Sequence, residues 1–221
     1  MDAEFWHERW RSDRIGFHQG RVNPYLIEHW AGVRPDPAEA VFVPLCGKAH
    51  DLGWLRERGH QVVGVELSEI ACRDFFAERS LKPDVSSSGA FTRFSANGIS
   101  LWCGDFFGLQ PQDLPAFSLI YDRAALIALP PTGRHNYATH LQRLAPTGSR
   151  MLLITLDYPP QASFQGPPFA VGDAEVNAHY RSRFQIEQLA HQPLAADDGL
   201  HKRGLRDATE SVYLLTPRHP T

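Results

Sequence analysis

Short apolar runs alternate along the chain with stretches whose apolar residues recur at helical spacing. Val41–Leu45 (VFVPL) is the first such run and predicts a buried strand. Asp51–Arg58 sets Leu52 and Leu55 on one helical face and is stopped by Gly59, and Gln61–Leu67 reads as the next strand. Ser68 can cap a helix reaching Ser80, with Ala71, Cys72, Phe75 and Phe76 turned inward, before Pro83–Gly89, which reads as turns. Ser100–Cys103 and Phe117–Tyr121 are strand candidates; Thr132–Leu144 is a helix through Tyr137, Leu141 and Leu144, and Met151–Leu156 is a buried strand after Gly148. This alternation predicts an α/β fold, a parallel sheet wound on both faces.

The two ends of the chain depart from that rhythm. At the start, Ala3–Trp10 brings Phe5, Trp6 and Trp10 toward one helical side, and Asn23-Pro24 opens a second helix carrying Tyr25, Leu26 and Trp30. Residues 1–40 thus read as a helical arm ahead of the first strand. Residues 158–173 (YPPQASFQGPPFAVGD) are too irregular for an element and read as a lid over a site, followed by a helix at Ala174–Tyr180. Phe184–Leu189 and Ser211–Thr216 are β-like runs joined without a crossover helix, so they should pair antiparallel at the sheet edge. With no repeat and no long linker, residues 1–221 are expected to form a single domain.

Composition narrows the partners. A net charge of −3 gives no basic field for nucleic acid or anionic membrane, so a small molecule is the favoured partner. The start MDAEFWHERW lacks the apolar core of a signal peptide, and no membrane-length apolar run follows. Three cysteines, Cys46, Cys72 and Cys103, without CxxC spacing suit reduced thiols in a cytoplasm. His135 and His140 fall off a common helical face with no accompanying ligand motif, which argues against a metal centre.

In a doubly wound sheet ligands sit at the carboxyl ends of the strands, here Pro44–Lys48, Glu66, Asp105 and Asp122-Arg123. Glu66 can accept both ribose hydroxyls of a nucleoside, or is a solvated strand-end acid. The first loop, PLCGK, lacks G-x-G-x-x-G, which disfavours a dinucleotide; its one glycine, Gly47, leaves room for a smaller nucleoside such as S-adenosylmethionine. Asp105-Phe106 reads equally as an adenine contact or as an N-cap with a core aromatic. Arg123 is either a fork for an electron-rich substrate or the partner of Asp122. Trp6, Trp10, Phe17 and His18 make an aromatic entrance that suits a sulfonium or a flat heterocycle, or simply anchors the arm.

Taken together, FHQG at 17–20, the run VFVPLCGKAHDLGWLRERGHQVVGVELSE at 41–69, IYDRAALIAL at 120–129, GPPF at 166–169 and YLLT at 213–216 resemble the thiopurine S-methyltransferase family over almost the whole chain. The resemblance implies a class I, Rossmann-like S-adenosylmethionine-dependent methyltransferase fold: a seven-stranded, mostly parallel sheet with an antiparallel last strand and helices on both faces. It implies S-adenosyl-L-methionine as cofactor, S-adenosyl-L-homocysteine as product, and N-terminal helices covering the cofactor. Carried over by motif, Trp10 and Leu45 would line the cofactor site, Glu66 would bind ribose, and Asp105 and Phe106 would meet the adenine. Arg123 would stand at the cofactor–substrate junction and Phe17 against the acceptor, with no general base required. The chain departs from animal members at WCGDFFGL and in the HKRGLRDATE tail, leaving contacts from His201, Lys202 or Arg203 open. The expected enzyme is a cytoplasmic, monomeric methyltransferase for aromatic or heterocyclic thiols. Selenium, tellurium or other small inorganic acceptors, a non-catalytic cofactor-binding protein, and a nicotinamide dehydrogenase are the alternatives.

Overall fold

The computed structural model describes residues 3–195 and 198–218. Apolar strand residues that alternate between two faces must be covered twice, and the chain does so around one mixed sheet of nine strands in the order β3-β4-β5-β2-β1-β6-β7-β9-β8. The strands are β1 (Val41–Val43), β2 (Val62–Glu66), β3 (Asp84–Ser88), β4 (Phe91–Ala96), β5 (Ile99–Cys103), β6 (Leu119–Arg123), β7 (Arg150–Asp157), β8 (Phe184–Pro193) and β9 (Thr209–Pro217). Strands β5, β2, β1, β6 and β7 pair in parallel. Antiparallel partners flank them on both sides: β9 inserts between β7 and β8, and β3–β4 extends the far edge from β5.

The doubly wound sheet and the antiparallel last pair agree with the expectation; the strand number does not. The two additional strands are β3 and β4, and β3 occupies the stretch read as turns. Its sequence, DVSSS, is exposed and polar, so no burial pattern marks it as a strand. It holds its place through the β4 ladder, and its polar surface blunts an open sheet edge.

Helices α2 (Pro24–His29), α3 (His50–Glu57) and α4 (Glu69–Ala77) cover one face, burying Leu26, Leu52, Leu55, Phe75 and Phe76 against Leu119, Tyr121 and Leu152. Helices α5 (Pro131–Leu144) and α6 (Asp173–Tyr180) cover the other, with Tyr137, Leu141, Val176 and Tyr180 on Ile120, Leu153 and Tyr213. Each large side chain so buried contributes roughly 1.5–3 kcal/mol before chain entropy is counted. Helix α1 (Ala3–Arg11) buries Trp10, and a short α7 (Gly199–Lys202) interrupts the β8–β9 connection.

Polar ties fix the arm to this frame. Asn23 caps α2 by accepting from the Tyr25 amide, and its own amide donates to Asp51 Oδ1 at 2.7 Å. The other Asp51 oxygen accepts from Tyr121 Oη at 2.9 Å, so one buried carboxylate joins arm, α3 and β6. Trp30 Nε1 donates to His60 Nε2 at 3.2 Å, while His60 Nδ1 lies 2.9 Å from the Glu39 carbonyl. Among the described residues no helix is long and apolar enough to cross a membrane.

Candidate active site

The carboxyl ends of β1, β2, β6 and β7 open into a cavity of about 1040 Å³, roofed by the N-terminal arm on one side and by parts of the 158–173 and β8–β9 segments on the other. Its floor is built by a short, strained loop. After Val43 the chain turns through Leu45 (φ 46°) and Gly47 (φ 54°) before α3 begins. Left-handed backbone is costly for leucine and tolerated where surrounding structure enforces it, a feature concentrated at ligand sites. At Gly47 a Cβ would lie 3.4 Å from the Trp10 ring, so glycine lets the loop pass close beneath that indole.

Glu66, at the end of β2, is 6% exposed and lines the cavity. Oε2 accepts from the Gly47 amide at 2.9 Å and Oε1 from the Ser68 amide at 2.7 Å. Burial raises this carboxyl above its ordinary range, and the backbone amides oppose the shift. Lys48, the only lysine in PLCGK, does not face an anion site. Its ammonium is held by Asp74 at 3.2 Å and Glu78 at 2.6 Å, both contributed by α4 and the residue that ends it.

The aromatic arm is assembled as a cluster. Phe17 packs edge-on against Trp6 at 5.4 Å and Trp10 at 5.6 Å, and all three line the cavity. His18 stacks on His50 at 5.6 Å instead of joining them. At the opposite corner Asp105 accepts from the Phe107 amide at 3.0 Å and caps a 3₁₀ turn. Phe106 is buried between Tyr137 at 5.1 Å and His140 at 4.8 Å. Asp105 and Phe106 both border the cavity, yet the ring left open there is that of Phe107, 43% exposed.

Arg123 ends β6, is half-buried and lines the cavity. Asp122 does not pair with it: that carboxylate points to the other face, accepting from Tyr137 Oη at 2.8 Å and the Leu126 amide at 3.4 Å. Among the described residues the Arg123 side chain has neither a hydrogen bond nor an ion pair, which leaves its planar fork available to a ligand. Ala124 follows with φ 66°, a second strained residue at a strand end.

In the tail, Arg203 is committed, with Nη2 donating to the Pro167 carbonyl at 2.7 Å and the guanidinium 5.1 Å from the Phe164 ring centroid. His201 turns to the Leu205 carbonyl, and Lys202 does not line the cavity. Sequence reasoning passed over Phe107, Asp51 and Glu210. Phe107 was legible as the second aromatic of DFF; the other two depend on elements far apart in the chain meeting in space.

The family model described as Thiopurine S-methyltransferase (TPMT) matches residues 1–218. A thiopurine S-methyltransferase of Marinobacter nauticus is 51% identical over 220 residues, covering 99% of this chain and 100% of that one. Another, of Pseudomonas aeruginosa strain UCBPP-PA14, is 49% identical over 216 residues, covering 97% and 99%. Among solved structures, a SAM-dependent methyltransferase from Anabaena variabilis superposes with a TM-score of 0.69 at 15% identity, covering 98% of this chain and 95% of that one. The 1,6-didemethyltoxoflavin-N1-methyltransferase of Burkholderia thailandensis, solved with S-adenosylhomocysteine, gives a TM-score of 0.65 at 14% identity, with 98% and 87% covered. The structural likenesses carry the methyltransferase fold, the full-length relatives carry the family, and on that footing the chain belongs to the thiopurine S-methyltransferase family.

Proposed function

We propose that the protein transfers the methyl group of S-adenosylmethionine to the sulfur of aromatic and heterocyclic thiols, releasing S-adenosylhomocysteine. The observation that carries this reading is the buried Glu66 carboxylate set against the Gly47 loop under Trp10. Each carboxylate oxygen holds one backbone amide and keeps a further acceptor position, which suits a vicinal ribose diol. The loop lacks the glycines a pyrophosphate needs, so a nucleoside without a diphosphate fits it better than a dinucleotide. The name shared by the full-length relatives supports the same reading.

The cofactor supplies an electrophilic methyl group on a positively charged sulfur. The chain supplies the rest. Glu66 fixes the ribose, Leu45 and Trp10 wall it, and the corner of Asp105, Phe106 and Phe107 meets the base. Trp10 and Phe17 exclude water above the reacting atoms, and Arg123 draws the electron-rich end of the acceptor into line. Holding two reactants in near-attack geometry supplies roughly 7–11 kcal/mol, so positioning dominates the chemistry.

Residues 1–40 act in this reading as the cover and residues 158–173 as the lid, supported by Pro167 and Pro168 at the cavity and by Tyr158 Oη donating to the Pro168 carbonyl at 2.7 Å. Three free cysteines support a cytoplasmic location, and a net charge of −3 supports small-molecule partners over nucleic acid. Methyl transfer from labelled S-adenosylmethionine to a series of thiols tests the proposal. Aromatic thiols should turn over well ahead of aliphatic ones; labelling of neither would overturn it.

A further inference from the structure

On the edge of the cavity opposite Glu66 stands a carboxylate that the reading above does not use. Glu210, near the start of β9, is registered opposite Leu156 of β7, while Arg123 of β6 is registered opposite Ile154 of the same strand. Paired residues, and residues two apart along a strand, share a sheet face. Glu210 and Arg123 therefore project from one face at the same end of the sheet, and both line the cavity. Both are half-buried. Among the described residues neither side chain forms a hydrogen bond or an ion pair, and the two do not bridge to one another. Polar groups removed from water are normally satisfied, so an acid and a guanidinium left apart in one cavity define a slot for a ligand with a donor for one and negative charge for the other.

Resting on the methyltransferase reading, we propose that Glu210 is the general base of the reaction and that the site selects acceptors bringing an acidic S–H, or the ring N–H of a thione tautomer, alongside the sulfur. The proton passes to a Glu210 oxygen. The sulfur keeps the S–H bonding pair, or gains negative charge as the N–H pair delocalises through the ring onto it, and attacks the methyl carbon while Arg123 holds that charge. The bond from that carbon to the sulfonium breaks, its electron pair neutralises the positive sulfur, and Glu210 returns the proton to water.

The charged groups facing Glu210 are Arg123 from β6 and Asp198 from the turn before α7, with the Tyr25 phenol from α2. Burial lifts the Glu210 carboxyl above its ordinary range, Arg123 opposes the lift and Asp198 adds to it. Such a carboxylate accepts a proton more readily than an exposed one. An inorganic oxyanion that brings no proton meets the Glu210 charge as repulsion, so the slot disfavours fully ionised selenium or tellurium oxyanions.

The test compares wild type, E210Q and E210D across pH on two acceptors, a heteroaromatic thiol protonated at the assay pH and a thiol already ionised by electron-withdrawing substituents. E210Q should lower kcat/KM for the protonated acceptor by roughly 10²-fold or more and abolish the acidic limb of its pH profile. The ionised thiol should change little, S-adenosylhomocysteine affinity by calorimetry should hold, and E210D should restore the limb. Equal losses on both acceptors, or an unaltered pH profile, would overturn the role of Glu210 while leaving the methyltransferase reading intact. Absence of wild-type transfer to either thiol would overturn both.

Discussion

At the scale of single residues, the proposed mechanism divides the labour of the site between two charged side chains, Glu66 and Arg123. Glu66→Ala removes the acceptor for the ribose hydroxyls and should weaken S-adenosylhomocysteine binding by about 1–3 kcal/mol in calorimetry; unchanged affinity would remove Glu66 from the cofactor site. Arg123→Ala should lower turnover more than cofactor affinity, a split read from steady-state kinetics beside the same titration, and equal losses would contradict its place at the acceptor. A third residue reports through pH. Burial raises the Asp122 carboxyl from 3.8 to about 6. Between those values the native chain keeps a proton that the unfolded chain has released, so stability falls as pH rises through this window and is level above it. The loss is on the order of 3 kcal/mol, and Asp122→Asn should remove that part of the slope in urea unfolding at pH 4 to 7, leaving the part owed to Glu66 and Glu210. Of these residues, Glu66 and Arg123 were legible because strand ends are where such a sheet presents chemistry. Whether Arg123 was free or paired with Asp122 was not legible, since that turns on the Tyr137 hydroxyl, which claims Asp122 from a helix beyond.

At the scale of elements, helices and central strands followed from periodicity because burial on one or both faces writes itself into the sequence. Helix α5 was expected at Thr132–Leu144 and runs Pro131–Leu144. The β3–β4 hairpin escaped because its outer strand buries no apolar side, and the extent of β8 to Pro193 escaped because its outer half is polar edge. Close packing between elements is equally silent in the sequence. Gly64 of β2 sits between β1 and β5, and a Cβ there would lie 2.7 Å from both Cys46 Sγ and Leu101 Cδ2. Gly64→Ala should therefore cost about 1–3 kcal/mol of stability by overpacking. Because Cys46 belongs to the loop proposed to hold the cofactor, the same change should weaken S-adenosylhomocysteine binding. Wild-type unfolding and binding in that variant would contradict the packing described.

At the scale of the whole molecule, a parallel centre carries the loops that line the cavity, the N-terminal arm borders it, and the antiparallel edge brings Glu210 to the same cavity; in the proposed mechanism these hold the cofactor, cover it and meet the acceptor. The class of fold was readable from the VFVPLCGKAHDLGWLRERGHQVVGVELSE run, and the same run named Gly47 and Glu66, which the structure joins by a hydrogen bond of 2.9 Å. At the other end Arg123 and Phe17 could be named but not their meeting with Glu210, because β6, β7, β9 and the arm come together only in the folded chain. The central claim is sulfur methylation directed by that assembled end. It is tested most directly by incubating the protein with a mercaptopurine and S-adenosylmethionine bearing a ¹³C methyl group, then locating the label in the product by NMR. The account predicts a single labelled resonance, that of the S-methyl group; a label on a ring nitrogen, or no labelled purine at all, would contradict it.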